Sequence, residues 1–325
     1  MIGYAGSITD PGRKRRHNED AYVCEPPLFA IADGMGGAQA GEVASRLAAA
    51  ALKESGASTG GEQRIVDLIQ EANRRVYDRS NTDPNTSGMG TTMTVALVED
   101  GRVAFGHVGD SRAYLIRDGE MEQVTEDHSL VNELLKSGKR SPEEAVSHPQ
   151  RSVITRALGT DPDVDVDTFT IDTEKGDVFL LCSDGLTDMV DEQQILELVE
   201  QNRTDFDAAL KALVRAANRG GGEDNITVVA FEIADSPPLH DGQTQEQALP
   251  PELEPRKVEE EDTLDEIDAV PVVDTAVIPT EEIQQELEAE QRARRRHLRR
   301  RLVAWLALLA FVGIIAALVV WRLVS

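Results

Sequence analysis

The sequence predicts an α+β fold of layered, mainly antiparallel sheets covered by helices, with a single transmembrane helix near the C-terminal end. First, apolar β-branched runs alternate with helical periodicities over residues 1–235. Second, Asp-Gly pairs separate strand-like runs in EDGR at 99–102 and RDGE at 117–120. Such pairs form tight hairpins, so a doubly wound parallel sheet is not expected. Third, residues 302–321 form an uncharged run of twenty residues.

The individual elements follow from local composition. Segments rich in Val, Ile, Thr and Phe predict strands at 28–32, 91–98, 102–108, 112–116, 177–181 and 226–233. Helix-like segments lie at 42–54, 64–80, 130–137, 192–200 and 206–218. In the first of these, Val43, Leu47 and Ala51 recur at four-residue spacing. Asp191, three residues before Gln194, is typical of a helix N-cap, and the glycines at 220–222 end the last helix.

Charge is distributed unevenly along the 325 residues, whose net charge is −26. Residues 236–290 hold 17 acidic and 2 basic side chains, and residues 291–325 hold 8 arginines and no acid, which leaves −19 for residues 1–235. An acidic folded part argues against nucleic acid as a partner, because the phosphates would be repelled. It suits a site that collects carboxylates around divalent cations.

The two cysteines, Cys24 and Cys182, lie in different motifs. Two unpaired thiols fit a reducing compartment, although a single disulfide between them stays open. The N-terminus has no apolar stretch long enough for a signal peptide.

The chain changes character after the domain predicted at 1–235. Prolines and acids dominate 236–290, which is typical of a disordered, self-repelling linker. A basic juxtamembrane segment follows at 291–301, and residues 302–321 have the length needed to cross a bilayer. Trp305 and Trp321 lie near the ends of that segment, where interfacial aromatic residues are expected. A buried core helix is the alternative for the same residues.

The arginines predict the orientation of this anchor. Seven lie between 292 and 301, whereas the short tail 322–325 has only Arg322. The positive-inside rule therefore predicts a single-pass protein of the cell membrane with its N-terminal domain in the cytoplasm. We expect residues 292–321 to contact membrane lipids, the arginines by binding anionic headgroups.

Acidic residues recur at the predicted strand ends. In FAIADGMGGA the apolar run ends at Asp33, and the following glycines let the backbone approach whatever the carboxylate binds. Taken alone, this stretch is more typical of an ordinary turn than of a metal site. Asp110, Asp184 and Asp224 repeat the pattern at three more strands, and RRHNED places Glu19-Asp20 before the first. Hard cations such as Mg²⁺ and Mn²⁺ prefer oxygen ligands, so the set together predicts a metal site.

Other catalytic chemistries lack their signatures. The histidines are scattered and have no paired Cys/His spacing, which argues against zinc. The sequence contains no GxxxxGK[ST] phosphate loop, no Rossmann glycine pattern and no GxSxG nucleophile motif.

Eight motifs occur in the order seen in one enzyme family: RRHNED, IADGMGG, GMGTTMT, FGHVGDSRAYLIRDG, VTEDHSL, ITRALG, LLCSDGLTDMV and EDNITVVAF. Through these motifs, which cover roughly residues 1–235, the chain resembles the metal-dependent protein phosphatases (the PPM or type 2C family). The DGMGG form is similar to that of the bacterial branch. The resemblance implies a four-layer α-β-β-α sandwich of two mainly antiparallel sheets flanked by helices.

The resemblance also implies the metal ligands. Asp33 would bridge two Mn²⁺ or Mg²⁺ ions, and the backbone carbonyl of Gly34 would bind one of them. Asp184 and Asp224 would hold the other ion. The remaining implied ligands, which bind or orient water near the second ion, are Glu19 and Asp20.

Further roles are implied around these ligands. Asp110 and Asp184 would form a third, weaker metal site, as in bacterial relatives. Arg15 matches the arginine that clamps the substrate phosphate, so that Arg15, Asp33 and Asp184 are the expected catalytic residues. Asn225 would position Asp224. Residues 128–158 correspond to a flap beside the active site that influences substrate choice.

The implied reaction is hydrolysis of a phosphate ester by water activated between two metal ions, which requires no Cys or Ser nucleophile. One residue departs from the eukaryotic pattern. Met35 stands where eukaryotic members carry a histidine that protonates the leaving oxygen, and a thioether cannot do this. The general acid therefore stays open. His128 and His148 are candidates, with a structural role as the alternative for both.

The sequence thus predicts a membrane-tethered, cytoplasmic protein-serine/threonine phosphatase. Its expected partners are phosphorylated proteins, in particular serine/threonine kinases and their substrates. Two alternatives stay open: an inactive, metal-bound module that recognises phosphopeptides, and a membrane scaffold whose basic segment and apolar helix carry the function.

Overall fold

A computed structural model describes residues 2–36, 40–55, 60–139, 144, 150, 152–234 and 276–277. The strands are β1 (Ile2–Asp10), β2 (Asp20–Glu25), β3 (Leu28–Met35), β4 (Gly90–Thr91), β5 (Met93–Glu99), β6 (Arg102–Val108), β7 (Arg112–Arg117), β8 (Glu120–Gln123), β9 (Val153–Ile154), β10 (Asp167–Asp172), β11 (Val178–Cys182), β12 (Ile226–Ile233) and β13 (Ala276–Val277). The helices are α1 (Ala40–Ser55), α2 (Gly61–Thr82), α3 (Leu130–Lys136), α4 (Asp184–Thr187), α5 (Glu192–Gln201) and α6 (Phe206–Gly220), with a 3₁₀ turn at Pro84–Thr86.

Two antiparallel sheets form the centre of the fold. One has the order β1-β12-β11-β7-β8, and the other has the order β10-β6-β5-β3-β2, with β4 paired to β3. One apolar cluster lies between the sheets, a second lies between α1, α2 and the β3-containing sheet, and a third lies between the other sheet and α5 and α6. These three interfaces separate four layers, helix, sheet, sheet and helix. The predicted arrangement of two antiparallel sheets with helices is therefore confirmed.

The alternation of side chains along the central strands produces these layers. In β11, Phe179 and Leu181 belong to the cluster between the sheets, whereas Leu180 and Cys182 face the helices. Successive side chains of a strand point to opposite faces, and both faces of this strand are buried, so apolar residues occupy every position. The stacked rings of Phe29 and Phe231, 4.2 Å apart, join the two sheets at their centre.

Most predicted elements are present with small shifts at their ends. Strands β6 and β12 have the predicted bounds, and both Asp-Gly hairpins are antiparallel, with Glu99 opposite Arg102 and Arg117 opposite Glu120. The side chain of Asp191 accepts from the backbone N–H of Gln194, as the N-cap pattern predicts. Strand β3 does not end near Asp33 as predicted. It continues to Met35, because Gly34 and Met35 pair with β4.

The strands that the sequence did not predict are the four at the sheet edges, β1, β2, β8 and β10, and the two-residue strands β9 and β13. Edge strands have one unpaired side and are partly exposed, so they lack the continuous apolar runs that mark the central strands.

The C-terminal predictions fall largely outside the described residues. These are the linker at 236–290 except for 276–277, the basic segment 291–301, the apolar segment 302–321 and the tail 322–325. None of the helices in the described part of the chain is long and apolar enough to span a bilayer. Within the predicted linker, Ala276–Val277 form a strand that pairs in parallel with β9. The prediction of an unstructured linker is therefore wrong at these two residues.

Candidate metal centre

Two of the predicted ligands face each other across a strand pair. Asp20 begins β2 and lies directly opposite Asp33 of β3. The backbone of Asp33 is fixed by its neighbour, since its carbonyl accepts from Thr91 Oγ1 at 2.8 Å and from Thr92 N at 2.9 Å, while its N–H donates to Thr92 Oγ1 at 2.9 Å. Three backbone contacts thus hold the carboxylate of Asp33 at a defined place on the sheet edge.

The other sheet supplies two more aspartates at one of its edges. Asp184 follows β11 and is the first residue of α4, and Asp224 precedes β12. Because β11 and β12 are antiparallel neighbours, the end of one strand lies beside the start of the other. Asp224 is further held by the backbone N–H of Asn225, which donates to its Oδ1 at 2.8 Å.

Asp110 lies in the connection that crosses from β6 in one sheet to β7 in the other. His128 fixes the residue before it from both sides. The backbone N–H of His128 donates to the carbonyl of Gly109 at 2.7 Å, and the N–H of Gly109 donates to Nδ1 of His128 at 3.0 Å. The φ of Gly109 is +114°, a conformation that favours glycine.

The five aspartates are close enough to repel one another. Burial raises the pKa of Asp33 well above its usual value, and the negative charges of Asp20, Asp184, Asp224 and Asp110 raise it further. Burial and the charges of Asp110 and Asp224 do the same for Asp184. Burial also raises the pKa of Asp110 to about 7 and that of Asp20 to about 6. A concentration of negative charge with these properties is stabilised by bound cations.

Hydrogen bonds to one oxygen of Asp20 leave the other without a partner. Its Oδ2 accepts from Ser183 Oγ at 2.9 Å and from Thr227 Oγ1 at 2.6 Å. Its Oδ1 and the Oδ1 of Asp184 are buried and have no hydrogen-bond partner among the described residues. Buried carboxylate oxygens without partners are costly, and a cation is the ligand that satisfies them.

Glycines give the backbone room at the same place. A Cβ at Gly34 would overlap the backbone oxygens of Gly41 and Glu19, and a Cβ at Gly41 would overlap the carboxylate of Glu19. The N–H of Gly34 donates to the carbonyl of Glu19 at 3.2 Å. Over the described residues, no three His, Cys, Asp or Glu side chains gather closely enough to hold a metal ion by themselves. The open, oxygen-rich arrangement fits Mg²⁺ or Mn²⁺, which keep several waters and need few protein ligands.

Asn225 connects the loop that carries Arg15 to this centre. Its Oδ1 accepts from the N–H of Glu19 at 2.8 Å, while its Nδ2 donates to the carbonyls of Pro11 at 3.0 Å and His17 at 2.9 Å. Asn225 is buried, with 4% of its surface exposed. Within the loop held in this way, Arg15 donates from Nη2 to Oδ2 of Asp224 at 2.8 Å. The predicted phosphate clamp is thereby placed beside a predicted metal ligand.

An acidic cleft of about 970 Å³ opens beside Asp110 and Asp184. Among its described lining residues, Arg112 is the only Lys or Arg, and three hydrogen bonds of 2.7 to 3.1 Å tie it to Asp127. The carboxylates along the cleft are Asp110, Glu126, Asp127, Asp184, Asp188 and Glu192. The first turn of the predicted flap, α3, also contributes to the wall of the cleft through Val131 and Asn132.

The structure describes the surroundings of Met35 and of one of the two candidate general acids, His128. Met35 is buried and packs with Ile154 and Ala157. His128 is buried, and both of its ring nitrogens are engaged, Nδ1 by Gly109 and Nε2 by Asp167. Burial lowers its pKa. His128 therefore has a structural role in this arrangement and is not placed to donate a proton, whereas His148 lies outside the described residues.

Sequence analysis missed several side chains that support the centre. Ser183 and Thr227 hold Asp20, and Ser183 also accepts at Oγ from the N–H of Thr227 at 3.0 Å. Thr92 holds Asp33 and contacts Ser111 at 2.8 Å. The signal available in the sequence was their adjacency to the predicted ligands, since Ser183 precedes Asp184 directly. Their partners, however, are 59 to 207 residues away.

Comparisons with known proteins agree with this geometry. The family model described as "Protein phosphatase 2C" matches residues 13–227. The chain is similar to the serine/threonine phosphatase stp of Listeria innocua, with 42% identity over 236 residues that cover 69% of this chain and 93% of that protein. It is also 41% identical to the serine/threonine protein phosphatase PstP of Mycobacterium tuberculosis over 248 residues, which are 75% of this chain and 47% of that protein.

Solved structures show the same likeness. The crystal structure of Mycobacterium tuberculosis PstP/Ppp superposes with a TM-score of 0.69 at 39% identity, covering 72% of this chain and all of that one. The catalytic domain of PstP in complex with two manganese ions gives a TM-score of 0.66 at 36% identity, with 72% of this chain and 99% of that chain covered.

Proposed function

The chain belongs to the protein phosphatase 2C family and is a serine/threonine protein phosphatase; from this premise we propose that its carboxylate centre binds two Mn²⁺ or Mg²⁺ ions. Asp33, Asp184, Asp224 and the backbone carbonyl of Gly34 would hold these ions. Asp110 and Asp184 would hold a third, more weakly bound ion. The observation that supports this assignment most directly is the burial of the clustered aspartates, which together with their mutual repulsion raises the pKa of Asp33 and Asp184 well above their usual values.

Glu19 and Asp20 would bind or orient water at this centre. When bound, the cations supply a deprotonated water as nucleophile near neutral pH and stabilise the charge that develops on the phosphoryl oxygens. Ser183 and Thr227 keep Oδ2 of Asp20 in hydrogen bonds, which fixes the carboxylate and leaves its buried Oδ1 without a hydrogen-bond partner among the described residues. Such support matters because loosening a ligand by a fraction of an ångström lowers metal affinity and rate.

Arg15 binds the phosphoryl group of the substrate. Its guanidinium is planar, permanently charged and able to donate two parallel hydrogen bonds to phosphate oxygens. The contact with Asp224 uses Nη2 and places the group at the rim of the centre. Because the side chain is 27% exposed, it can also meet a phosphoserine or phosphothreonine that arrives from solvent.

Hydrolysis of a phosphothreonine peptide in a metal titration tests this centre. We expect EDTA to abolish turnover and Mn²⁺ or Mg²⁺ to restore it. Asp33→Asn should lower turnover by more than about 100-fold, since even residues that only support a metal ligand typically contribute 10- to 100-fold. Asp172→Asn, at an exposed end of β10, is the matched control. Full activity of Asp33→Asn would refute the assignment, and peptide binding without turnover in the parent protein would favour the inactive-module alternative.

We further propose that the enzyme is tethered to the inner face of the cell membrane, where it opposes serine/threonine kinases and dephosphorylates their substrates. The support is the sequence: an uncharged run at 302–321, seven arginines just before it, and an acidic spacer of 55 residues at 236–290. Because β13 pairs with β9, 13 spacer residues remain beyond it, and a flexible chain of that length has a root-mean-square reach on the order of 20 Å. The domain can then search nearby cytoplasmic surfaces while the chain stays in the bilayer.

Cell fractionation tests the tether. The full chain should sediment with membranes and resist extraction by salt and by carbonate, whereas a chain ending at residue 291 should be soluble and keep its turnover of a phosphopeptide. A soluble full chain would refute the tether. Loss of peptide turnover on truncation would favour the scaffold alternative, in which the C-terminal segment carries the function.

A further inference from the structure

A segment far along the chain returns to the catalytic domain. Ala276 pairs with Val153 and Val277 pairs with Ile154, in a parallel arrangement of β13 and β9. The last described residue of the main fold before this point is Ala234, so residues 235–275 form the connection. The cost of closing a flexible loop grows only slowly with its length, so a connection of this size does not prevent such a contact.

Strand β9 has one edge engaged by the domain and the other by β13. On the engaged edge, Ile154 bridges Ser129, and the N–H of Thr155 donates to the carbonyl of His128 at 2.8 Å. Ile154 is fully buried and packs with Met35, two residues after Asp33. On the opposite edge, the described pairing partner of β9 is β13.

The position of β9 makes this edge relevant to the active site. Ser152, immediately before the strand, lines the acidic cleft together with Asp110 and Asp184. A strand added to β9 therefore lies against the wall of that cleft.

The composition of the returning segment suits a strand. Residues 270–278 contain five Val or Ile, whereas the other 46 residues of the 236–290 linker contain three. β-branched residues favour strands, and the surrounding acids and prolines do not. Pro271 and Pro279 limit the run to 272–278, because proline has no N–H to donate to a strand ladder.

We propose that the edge of β9 opposite Ser129 is a docking site for an extended strand and that its occupant is the chain's own segment 272–278. The segment pairs through Ala276 and Val277 and closes the linker into a loop. The inference is independent of the metal assignment, and its failure would leave the proposed function unaffected.

Hydrogen exchange of the full-length protein tests the docking. Ala276→Pro removes the backbone N–H of β13 that the parallel register directs toward β9, and Ala248→Pro places the same change in a proline-rich part of the linker as the matched control. Because a short ladder of one or two hydrogen bonds contributes roughly a factor of ten, we expect Ala276→Pro to speed exchange at 152–158 and 272–278 about tenfold. Ala248→Pro should leave both segments unchanged. Equal exchange in the parent protein and Ala276→Pro would overturn the proposal.

Disulfide trapping identifies the occupant. A full chain carrying both Val153→Cys and Ala276→Cys should form a disulfide within one molecule under mild oxidation, detected by peptide mapping. The matched pair Val153→Cys with Ala248→Cys should not. A mixture of chains carrying Val153→Cys alone and Ala276→Cys alone should stay monomeric. A disulfide-linked dimer in that mixture, or no disulfide in the double variant, would overturn the assignment to the chain's own segment.

Discussion

Arg15 donates from Nη2 to Oδ2 of Asp224 at 2.8 Å, which joins the loop before β2 to the start of β12. Both side chains are more than a quarter exposed, so the ion pair contributes little to stability. We therefore expect Arg15 to contribute mainly to substrate binding, because a guanidinium can donate hydrogen bonds to two phosphate oxygens at once.

Replacing Arg15 should weaken substrate binding without weakening metal binding. We expect Arg15→Ala to raise KM for a phosphopeptide by about 10- to 100-fold, as a charge-assisted hydrogen bond contributes about 1.5–3 kcal/mol. The KM of Arg15→Lys should lie between those of the parent protein and Arg15→Ala, because lysine keeps the positive charge but cannot donate two parallel hydrogen bonds. The half-saturating Mn²⁺ concentration should stay equal or fall, since a cation beside the carboxylates has been removed. Steady-state kinetics at saturating and limiting Mn²⁺ measures both, and an unchanged KM would contradict the role.

Asn225 should be required for the shape of the Arg15 loop. Asn225→Asp keeps an acceptor for the N–H of Glu19 but places carboxylate oxygens against the carbonyls of Pro11 and His17, which now receive hydrogen bonds from Nδ2. Leaving two acceptors unsatisfied in a buried position costs about 1–3 kcal/mol each. Urea unfolding should show a loss of about 2–5 kcal/mol in the free energy of unfolding. A loss below about 0.5 kcal/mol would show that the loop is held by other contacts.

Removing the charge of Asp33 should stabilise the metal-free protein while it abolishes activity. Burial and four neighbouring aspartates disfavour the ionised form of Asp33, so the repulsion is relieved in Asp33→Asn. We expect a higher Tm than the parent protein in EDTA, with each kcal/mol corresponding to about 2–4 °C for a domain of this size. Added Mn²⁺ should raise the Tm of the parent protein more than that of the variant. Scanning calorimetry measures both effects, with Asp172→Asn as control. A lower Tm of Asp33→Asn in EDTA would contradict the electrostatic account.

Metal affinity should increase with pH across the neutral range. Burial raises the pKa of Asp110 to about 7 and of Asp20 to about 6, and raises those of Asp33 and Asp184 well above normal, so protons occupy the metal-free centre. Cations must displace these protons, and binding therefore becomes tighter as pH rises. We expect the half-saturating Mn²⁺ concentration to fall by up to about tenfold per pH unit for each proton displaced between pH 6 and 8. Calorimetry in two buffers of different ionisation enthalpy counts the protons released. No proton release at pH 7 would contradict the raised pKa values.

The central strands could be predicted from the sequence and the edge strands could not. Strands β6 and β12 were bounded correctly because apolar runs and Asp-Gly turns are local signals. The four missed edge strands β1, β2, β8 and β10 carry partly exposed residues, so their pairing depends on neighbours distant in the sequence.

The residues of the candidate site likewise fall into those that the sequence predicts and those that it does not. Each predicted aspartate was visible as an acid at a strand end, and the family motifs supplied the expectation that the acids meet. The contacts that support them were not visible, because a hydroxyl such as that of Thr227 finds Asp20 only through the order of strands in two sheets. The pairing of β13 with β9 was hidden for the same reason, although the β-branched run at 270–278 was available in the sequence.

His107 should make the stability of the fold depend on pH below 6.5. It is fully buried between Thr94, which contacts Nδ1 at 2.9 Å, and the carbonyl of Glu126, 3.0 Å from Nε2, with the ring of His128 4.7 Å away. Burial, together with the smaller effect of the neighbouring His128, lowers the pKa of His107 to about 3. The folded pKa therefore lies below the unfolded value of about 6.5. Its stabilising contribution is complete above pH 6.5 and is lost as the pH falls toward 3.

The variant His107→Gln, which cannot titrate, isolates this effect from the carboxylates of the metal centre. Between pH 7 and pH 5, the parent protein should lose about 2 kcal/mol more unfolding free energy than His107→Gln, because only its unfolded state gains a proton. The variant will be less stable at pH 7, so the difference between the two slopes is the quantity to compare. Urea unfolding in EDTA at pH 5, 6 and 7 provides it. Parallel pH profiles would show that His107 does not remain neutral in the folded protein, or that it titrates normally there.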